Sequence, residues 1–312
     1  MNTYLPEGSL LKDAQNQEYV SGFDGLERAR ERGAIVEATV LLCDHNFNLH
    51  ISLGGGARGV IERDEVEYSK KNETKDIAIL TRVGKPVCFK VLGFRKNRAG
   101  ELIAMLSRRA AQKECIERYI SNLRCGDIIP SRITHLESFG AFVDIGCGVI
   151  SLLSIDSISV SRISHPSARL GVGDNIYTVV KSIDDGGRIY VSERELLGSW
   201  EENAALFSEG ETVSGIVRSV ESYGIFIELK PNLAGLAEYR ENVYVGQSAA
   251  VYIKSIIPEK MKIKLIIIDT RDEIVAREPL EYFIDAEKIT HIDSWLYSPI
   301  GSSRVIESVF QN

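Results

Sequence analysis

The stretch Phe139-Gly140-Ala141-Phe142-Val143-Asp144-Ile145 predicts a β-strand with aliphatic side chains on one face and an aromatic ring on the other. Side chains alternate between the two faces of a strand, so the three aliphatic residues point toward a core and Phe142 points away from it. Phe139 is three residues earlier and would lie on the opposite face of a regular strand. A bulge or sharp twist at Gly140, which tolerates unusual backbone angles, would bring both rings to one face.

The same arrangement recurs 84 residues later, in Tyr223-Gly224-Ile225-Phe226-Ile227-Glu228-Leu229, and residues 126–152 and 210–236 align at this offset. Exposed aromatic rings lower solubility unless a ligand stacks on them. A nucleobase has an apolar face of matching size, and stacking on a ring contributes roughly 1–3 kcal/mol per base. A single ring could equally fill the rim of a small barrel, but the recurrence of both rings favours a base-stacking surface.

Each repeat contains five short predicted strands, separated by glycine-containing turns and without an intervening helical pattern. The first repeat has its strands at 126–133, 139–145, from 150, at 173–183 and at 188–191. The second repeat follows the same order, and its residues 246–256 match the fourth strand of the first repeat. Such a pattern is typical of a small closed barrel of the oligonucleotide-binding type. The predicted fold class is all-β with linker helices, built from three tandem OB-fold, five-stranded antiparallel β-barrels.

This order of residues resembles the S1 RNA-binding domain family, whose repeats occur in bacterial ribosomal protein S1 and in several RNA-processing enzymes. The resemblance is strong over 126–194 and good over 210–268. In that family, two aromatics flanking a glycine, a histidine on the third strand, and an acidic and a basic residue around the last turn form the RNA face. The resemblance implies an RNA-binding role for Phe139, Phe142, Asp184, Arg188, Tyr223, Phe226 and Lys262. Ser154 and Glu238 stand at the histidine position, so that partner is missing from both repeats.

Residues 33–109 are interpreted as a third, degenerate copy of the repeat. The aromatic pair is absent from this copy, although Phe47 lies near its expected position. A longer basic turn that contains Arg95, Lys96 and Arg98 is a candidate for phosphate contacts, and docking of a protein is the alternative.

Two amphipathic segments predict helices between the copies, over 107–123 and from a capping box at Ser192 and Glu195. A short helix from Gly25 to Arg32 is expected to pack on the first barrel. The predicted organisation is an N-terminal extension (1–32), a degenerate barrel (33–109), a linker helix (110–125), a full S1 domain (126–194), a linker helix (195–209), another S1 domain (210–269) and a C-terminal extension packed on the last barrel (270–312).

Composition limits the other classes of function. The chain has 312 residues, of which 44% are hydrophobic and 26% charged, and no apolar run approaches the ~20 residues that cross a bilayer. We expect a cytoplasmic protein without a membrane partner. The five cysteines are scattered and predict neither a disulfide framework nor a metal site. His291 is interpreted as a structural histidine and Asp184-Asp185 as turn residues, so no catalytic residue, metal or cofactor is predicted.

The net charge of −7 argues against phosphate binding by the chain as a whole, but residues 85–118 contain nine basic and three acidic side chains. We predict a non-enzymatic bacterial RNA-binding protein of translation that grips single-stranded mRNA near the 30S ribosomal subunit. Two alternatives stay open. The barrels could hold other proteins, with the rings as interface anchors, or the chain could serve an RNA-decay or transcription assembly.

Overall fold

A computed structural model describes residues 4–69, 75–97, 99–272 and 280–310. The described residues up to 123, together with 130–132 and 144–150, form one compact unit, and the others form a second. Arg98 and residues 273–279 of the predicted C-terminal extension lie outside the described residues.

The first closed barrel contains five strands in the order β1-β2-β3-β5-β4. They are β1 (Val36–Cys43), β2 (Leu49–Ser52), β3 (Arg58–Ile61), β4 (Pro86–Lys96) and β5 (Leu102–Ser107). Alternation along β2 buries Leu49 and Ile51 and turns His50 outward, as expected for a sheet with one face toward the core. The interior is filled by aliphatic side chains and by Phe89.

Two further closed barrels follow, with the strand orders β10-β8-β7-β6-β9 and β11-β12-β13-β15-β14. The middle barrel contains β6 (Ile128–Glu137), β7 (Gly140–Asp144), β8 (Ile150–Ser154), β9 (Asn175–Ile183) and β10 (Ile189–Ser192). The third contains β11 (Thr212–Glu221), β12 (Gly224–Lys230), β13 (Leu233–Ala237), β14 (Ser248–Ile257) and β15 (Lys262–Arg271). The prediction of three tandem five-stranded barrels is confirmed. In each barrel the closing pair, the third strand with the fifth, is parallel, because the fourth strand reverses the chain between them.

The helices are short. They are α1 (Ala14–Tyr19), α2 (Phe23–Glu31), α3 (Asp76–Leu80), α4 (Arg108–Arg118), α5 (Ile155–Ile158) and α6 (Trp200–Ala204). Short 3-10 helices lie at Gly54–Gly56, Arg63–Glu65, Ile120–Asn122, Pro166–Ala168, Arg194–Leu197 and Pro258–Lys260. The expected helix near the N-terminus is α2, which buries Leu26 and Ala29 in the core of the first barrel.

Both predicted linker helices are shorter than expected. The segment 107–123 is α-helical only up to Arg118, after a cap in which Ser107 Oγ accepts from the Ala110 amide, and ends in the 3-10 turn Ile120–Asn122. The predicted capping box at Ser192 is wrong, because Ser192 still pairs in the last strand of the middle barrel. Gly198, with φ of +80°, ends the following 3-10 turn, and the true capping box lies at Ser199 and Glu202.

The buried charged residues of the first unit hold its N-terminal segment. The Arg108 guanidinium is fully buried and donates through Nε to Glu7 Oε1 at 2.6 Å. The same carboxylate oxygen accepts from the Cys88 amide at 3.1 Å. Pairing satisfies two charges that would be costly to bury singly.

The C-terminal segment was expected on the last barrel, but it also packs on the middle one. Its strands β16 (Ser294–Leu296) and β17 (Glu307–Val309) form a two-stranded sheet, and Trp295 lies in the core of the third barrel. Ahead of β16, the Thr290 carbonyl accepts from the Ile128 amide at 2.9 Å. His291 Nδ1 lies 2.7 Å from Asp127 Oδ1, which matches its interpretation as a structural residue.

Glu193, which follows β10, and Tyr282 of the C-terminal segment form a buried polar contact beside the middle barrel. The Tyr282 hydroxyl donates to Glu193 Oε1 at 3.1 Å and accepts from the Tyr177 amide at 3.0 Å. Burial raises the pKa of the Glu193 carboxyl to about 8, although the hydrogen bond from Tyr282 opposes the shift. Glu193 is therefore a group that the fold holds protonated near neutrality.

Glycine is required at position 140 by space. A Cβ atom at Gly140 would lie 2.4 Å from the Leu153 carbonyl oxygen on β8, which is backbone and cannot rotate away. A Cβ atom at Gly224, where φ is +154°, would likewise lie 2.6 Å from the Ala237 carbonyl oxygen. Gly140 itself has no positive φ, so close backbone approach is what excludes a side chain there. This close approach (the crossing) of the neighbouring second and third strands lies between the two aromatic positions.

The stability of the protein should fall as pH rises from about 4.5 to 8, and Glu193 should contribute to the fall. The folded state keeps the Glu193 proton that the unfolded chain releases, so the stabilisation is complete below the unfolded pKa and is lost through the folded pKa. One such group gives up to about 1.4 kcal/mol per pH unit. Urea unfolding of Glu193→Gln at a series of pH values should show a shallower fall. The exposed Glu201→Gln should keep the wild-type slope, and equal slopes in all three proteins would contradict this assignment.

Gly140→Ala should lower the free energy of unfolding by about 1–3 kcal/mol, because the added methyl group collides with backbone. Gly93→Ala is the matched control, since a Cβ at Gly93 meets nothing within 4 Å. Its expected change is within about 0.5 kcal/mol. Denaturant titration measures both, and equal effects of the two substitutions would show that the crossing is not tight.

Candidate nucleic-acid interface

Phe139 and Phe142 share one face of the middle barrel. Their ring centroids are 6.1 Å apart and the planes are perpendicular. Phe139 is 53% exposed and Phe142 is half-buried, whereas Ala141 and Val143 between and beyond them are fully buried. The strand thus places two rings on its outer face at the point where β7 begins. We call this pair, with the equivalent pairs in the other barrels, the aromatic pair of each barrel.

The third barrel repeats this geometry. Tyr223 is 69% exposed, and its ring lies 6.1 Å from that of Phe226 at 85°. Ile225 and Ile227 fill the interior. The two barrels therefore present the same edge-to-face pair, with a hydroxyl added at the outer ring of the third.

The first barrel fills these positions with different residues. Strand pairing places His50 opposite Val60 and Val60 opposite Met105, as it places Phe226 opposite Leu236 and Leu236 opposite Lys264. His50 is therefore the counterpart of Phe226, and Phe47 that of Tyr223. Register thus places a phenyl ring and an imidazole at the two positions that hold aromatic rings in the other barrels.

Both rings of the first barrel already have partners. The Arg63 guanidinium lies over the Phe47 ring, 4.8 Å from its centroid, in cation–π geometry. His50 Nε2 lies 3.0 Å from Asp44 Oδ2. Arg63 is itself paired with Asp76 at 2.5 Å. The guanidinium covers one face of the Phe47 ring, so this surface differs from the open pairs of the other barrels.

Asp184 and Arg188 belong to the turn between β9 and β10. Asp184 Oδ1 accepts from the Gly186 and Arg188 amides, each at 2.9 Å. Asn97 does the same in the first barrel, with the Ala99 and Glu101 amides. The observed role of the Asp184 carboxylate is therefore to shape the turn, and through it to position the residue that leads into β10.

Strand register relates Arg188 to Lys262. Tyr190 pairs with Leu152 in the middle barrel and Lys264 pairs with Leu236 in the third. Arg188 lies two residues before Tyr190, and Lys262 lies two residues before Lys264, so the two basic residues occupy equivalent positions on the same face of their strands. Lys262 is exposed at the first position of β15. At the position of the family histidine, Ser154 Oγ instead donates to Ser157 Oγ at 2.9 Å.

The basic segment of residues 85–118 is largely ion-paired. Arg95 lies 3.2 Å from Glu62, and both side chains are about half-exposed. The other pairs join Lys90 and Arg118 to Glu114, Lys113 to Glu117, and the buried Arg108 to Glu7. Lys96 is exposed at the end of β4. Arg98 lies outside the described residues. Neighbouring carboxylates thus offset much of the positive charge that the sequence suggested.

A buried ion-pair cluster joins the second and third barrels within their shared unit. Arg169 Nη2 donates to Glu228 Oε2 at 2.5 Å, and Arg218 donates to both oxygens of the same carboxylate at 2.9 Å. Glu228 has the strand parity of Phe226 but is buried by these partners. One end of the outer face of β12 is therefore covered, while the end with the aromatic pair stays open.

His135 is a ring at the interface that the sequence reasoning missed. It lies on β6, and its ring stacks on that of Phe142 with centroids 6.2 Å apart and planes 23° apart. The signal was available in the repeat offset, which matches His135 to Ser219, the cross-strand partner of Phe226.

No helix among residues 4–69, 75–97, 99–272 and 280–310 has the length and apolarity to span a bilayer. Over the same ranges, no group of three or more histidine, cysteine or acidic side chains has an arrangement that could hold a metal ion.

Comparison with known proteins gives one family match and several partial relatives. The model of the "S1 RNA binding domain" matches residues 123–194. The small ribosomal subunit protein bS1 of Mycobacterium tuberculosis is 27% identical over 281 residues, which cover 83% of this chain and 55% of that protein. The bS1 protein of Staphylococcus saprophyticus is 33% identical over 143 residues, 44% of this chain and 36% of that protein.

The chain spans about half the length of the curated mycobacterial relatives that it matches. A solved multidomain protein "with nucleic acid binding domains" from Streptococcus pneumoniae covers 76% of this chain and is covered to 74%, with 14% identity and a TM-score of 0.25, a value that supports no argument about function. The family match coincides with the middle barrel, which holds the pair of Phe139 and Phe142. Residues 123–194 therefore match the S1 RNA-binding domain family.

Proposed function

We propose that the protein binds single-stranded RNA by base stacking, as a non-enzymatic protein of translation that holds mRNA at the small ribosomal subunit. The observation that carries the proposal is the aromatic pair of Phe139 and Phe142, which the middle barrel holds on its outer face. The matched family and the bS1 relatives support RNA as the ligand and the ribosome as its setting.

The physical argument begins with the cost of exposed rings. Phe139 leaves half of its surface in water, and the barrel gains no core packing from that half. A base stacked on a ring removes apolar surface from water on both partners, at roughly 1–3 kcal/mol per base. The perpendicular arrangement offers the face of one ring beside the edge of the other. Single strands suit such a surface because their bases can be splayed out of the stack.

The polar residues near the pair complete the proposed site. Arg188 contacts a phosphate or a base edge, and Asp184 holds the turn that positions Arg188. In the third barrel, Tyr223 and Phe226 stack bases and Lys262 takes the place of the arginine. Arg95 and Lys96 are secondary phosphate contacts, since Arg95 must first leave Glu62.

Two linked modules raise the affinity for RNA above that of either module alone. We assign residues 126–194 and 210–269 as the modules, joined by the cluster of Arg169, Arg218 and Glu228. When one module has bound a strand, the second meets the same strand at high effective concentration. RNA long enough to reach both modules is therefore held more tightly than a short oligonucleotide.

The double substitution Phe139→Ala and Phe142→Ala should weaken binding of a pyrimidine-rich single-stranded RNA by about 10- to 100-fold, since one or two stacked bases are lost. Fluorescence anisotropy with a labelled decamer measures the change. Tyr244→Ala, which removes an exposed ring that is not part of the proposed site, should leave affinity unchanged. An unaltered dissociation constant for the double variant would refute the stacking model.

Arg188→Ala should reduce the salt dependence of RNA affinity. Each phosphate contact to a single strand contributes about −0.7 to the slope of log K against log salt, so the slope should become shallower by about that amount. Lys254→Ala changes net charge equally but lies on β14, outside the proposed site, and should keep the slope. A lower affinity with an unchanged slope would assign Arg188 to a base edge.

A further inference from the structure

The aromatic pair of the middle barrel is extended by a third ring. His135 stacks on Phe142 at 23° and 6.2 Å, on the side of β7 that pairs with β6, and 61% of its side chain is exposed. Phe139 contacts the same Phe142 edge-to-face at 6.1 Å. The three rings therefore form a continuous row in which Phe142 is central and least exposed, and each outer ring has free surface.

The position of His135 follows from strand pairing and does not depend on a side-chain rotamer alone. In the third barrel Ser219 is the direct cross-strand partner of Phe226, at a bulge between Val217 and Ser219. The 84-residue offset places His135 where Ser219 stands. In the middle barrel the neighbouring Thr134 Oγ1 donates to the Phe142 carbonyl at 3.0 Å, which holds β6 beside the same residue. Directly opposed residues have Cβ atoms about 4.5–5.5 Å apart, a spacing that lets two rings stack.

Glu137 orients the imidazole. Its Oε1 lies 2.8 Å from His135 Nε2. A carboxylate only accepts hydrogen bonds, so Nε2 carries the proton in this contact. In the described part of the chain, Nδ1 of His135 has no hydrogen-bond partner. The ring thus offers a flat face for stacking and a polar edge toward solvent.

We propose that His135 is a third base-stacking residue of the middle barrel, which binds the nucleobase next to the one on Phe142 and is held in orientation by Glu137. This inference rests on the proposed RNA-binding function and adds a residue to the same site. It also distinguishes the two modules, because the third barrel has only a hydroxyl at the corresponding Ser219. A ring on the first strand supplies the contact that Ser154 on the third strand lacks.

The ligand is a single-stranded RNA with at least three consecutive unpaired bases. Each ring takes one base face, and adjacent bases in a strand are spaced so that neighbouring rings can each receive one. The middle barrel should therefore contact one nucleotide more than the third barrel.

The test uses the full chain and single-stranded RNA decamers in which 2-aminopurine, whose fluorescence is quenched by stacking, replaces one base at successive positions. His135→Ala should weaken binding by about 5- to 10-fold, which corresponds to one stacked base. The same substitution should restore fluorescence at one position, while the position quenched by Phe142 stays quenched. His135→Phe keeps a ring and should retain affinity within about twofold. His45→Ala removes an exposed histidine from the first barrel and should change neither readout.

Two results would overturn the inference: wild-type affinity and quenching in His135→Ala, or an equal loss in His135→Ala and His135→Phe. The double substitution of Phe139 and Phe142 separates this failure from failure of the proposed function. If that variant loses affinity while His135→Ala does not, RNA stacking stands and the third ring is rejected. If neither variant loses affinity, the proposed function itself is rejected.

Discussion

Backbone contact between the second and third strands of the barrel is the constraint on which the candidate interface depends. At Gly140 the strands approach so closely that the Leu153 carbonyl occupies the space of a side chain. The Phe139 carbonyl accepts from the Ile155 amide at 2.9 Å just beside this crossing. The backbone on both sides of the glycine is thus fixed, and with it the direction in which the rings of Phe139 and Phe142 project. A ring pair built on this crossing needs no ligand to assemble, so little ordering cost is left for binding.

The three barrels use one scaffold for three different surfaces. The middle barrel has two phenyl rings and the imidazole of His135, and the third has a phenol, a phenyl ring and Ser219. In the first barrel Asn48 stands where the others have glycine, and Phe47 adopts a left-handed backbone with φ of +62°. The resulting ring is covered by Arg63. The arrangement indicates that the first barrel keeps the fold while its outer face has partners from within the chain.

Buried polar groups define how the segments outside the barrels are held. Glu7 reaches the buried Arg108 in the first unit, and Glu193 with Tyr282 fixes the C-terminal segment in the second. Buried groups of this kind add little net stability compared with apolar packing, but each accepts only a matching partner. They therefore specify where the irregular segments lie, whereas the aliphatic interiors of the barrels supply the stability.

Much of the fold could be predicted from the sequence, because alternation along short strands and glycine turns are local signals. The repeat at 84 residues, the inward aliphatic residues of β7 and β12, and the outward Phe142 and Phe226 are read from side-chain parity alone. Only the tertiary structure determined which residues of different strands contact one another. It matched His50 to Phe226, placed His135 against Phe142, and paired Arg95 with Glu62. It also ended the helix at Arg118 and brought Thr290 to Ile128 across more than half of the chain. Parity gives the face on which a residue lies, whereas contacts between faces follow from register and closure, which arise only when distant strands pair.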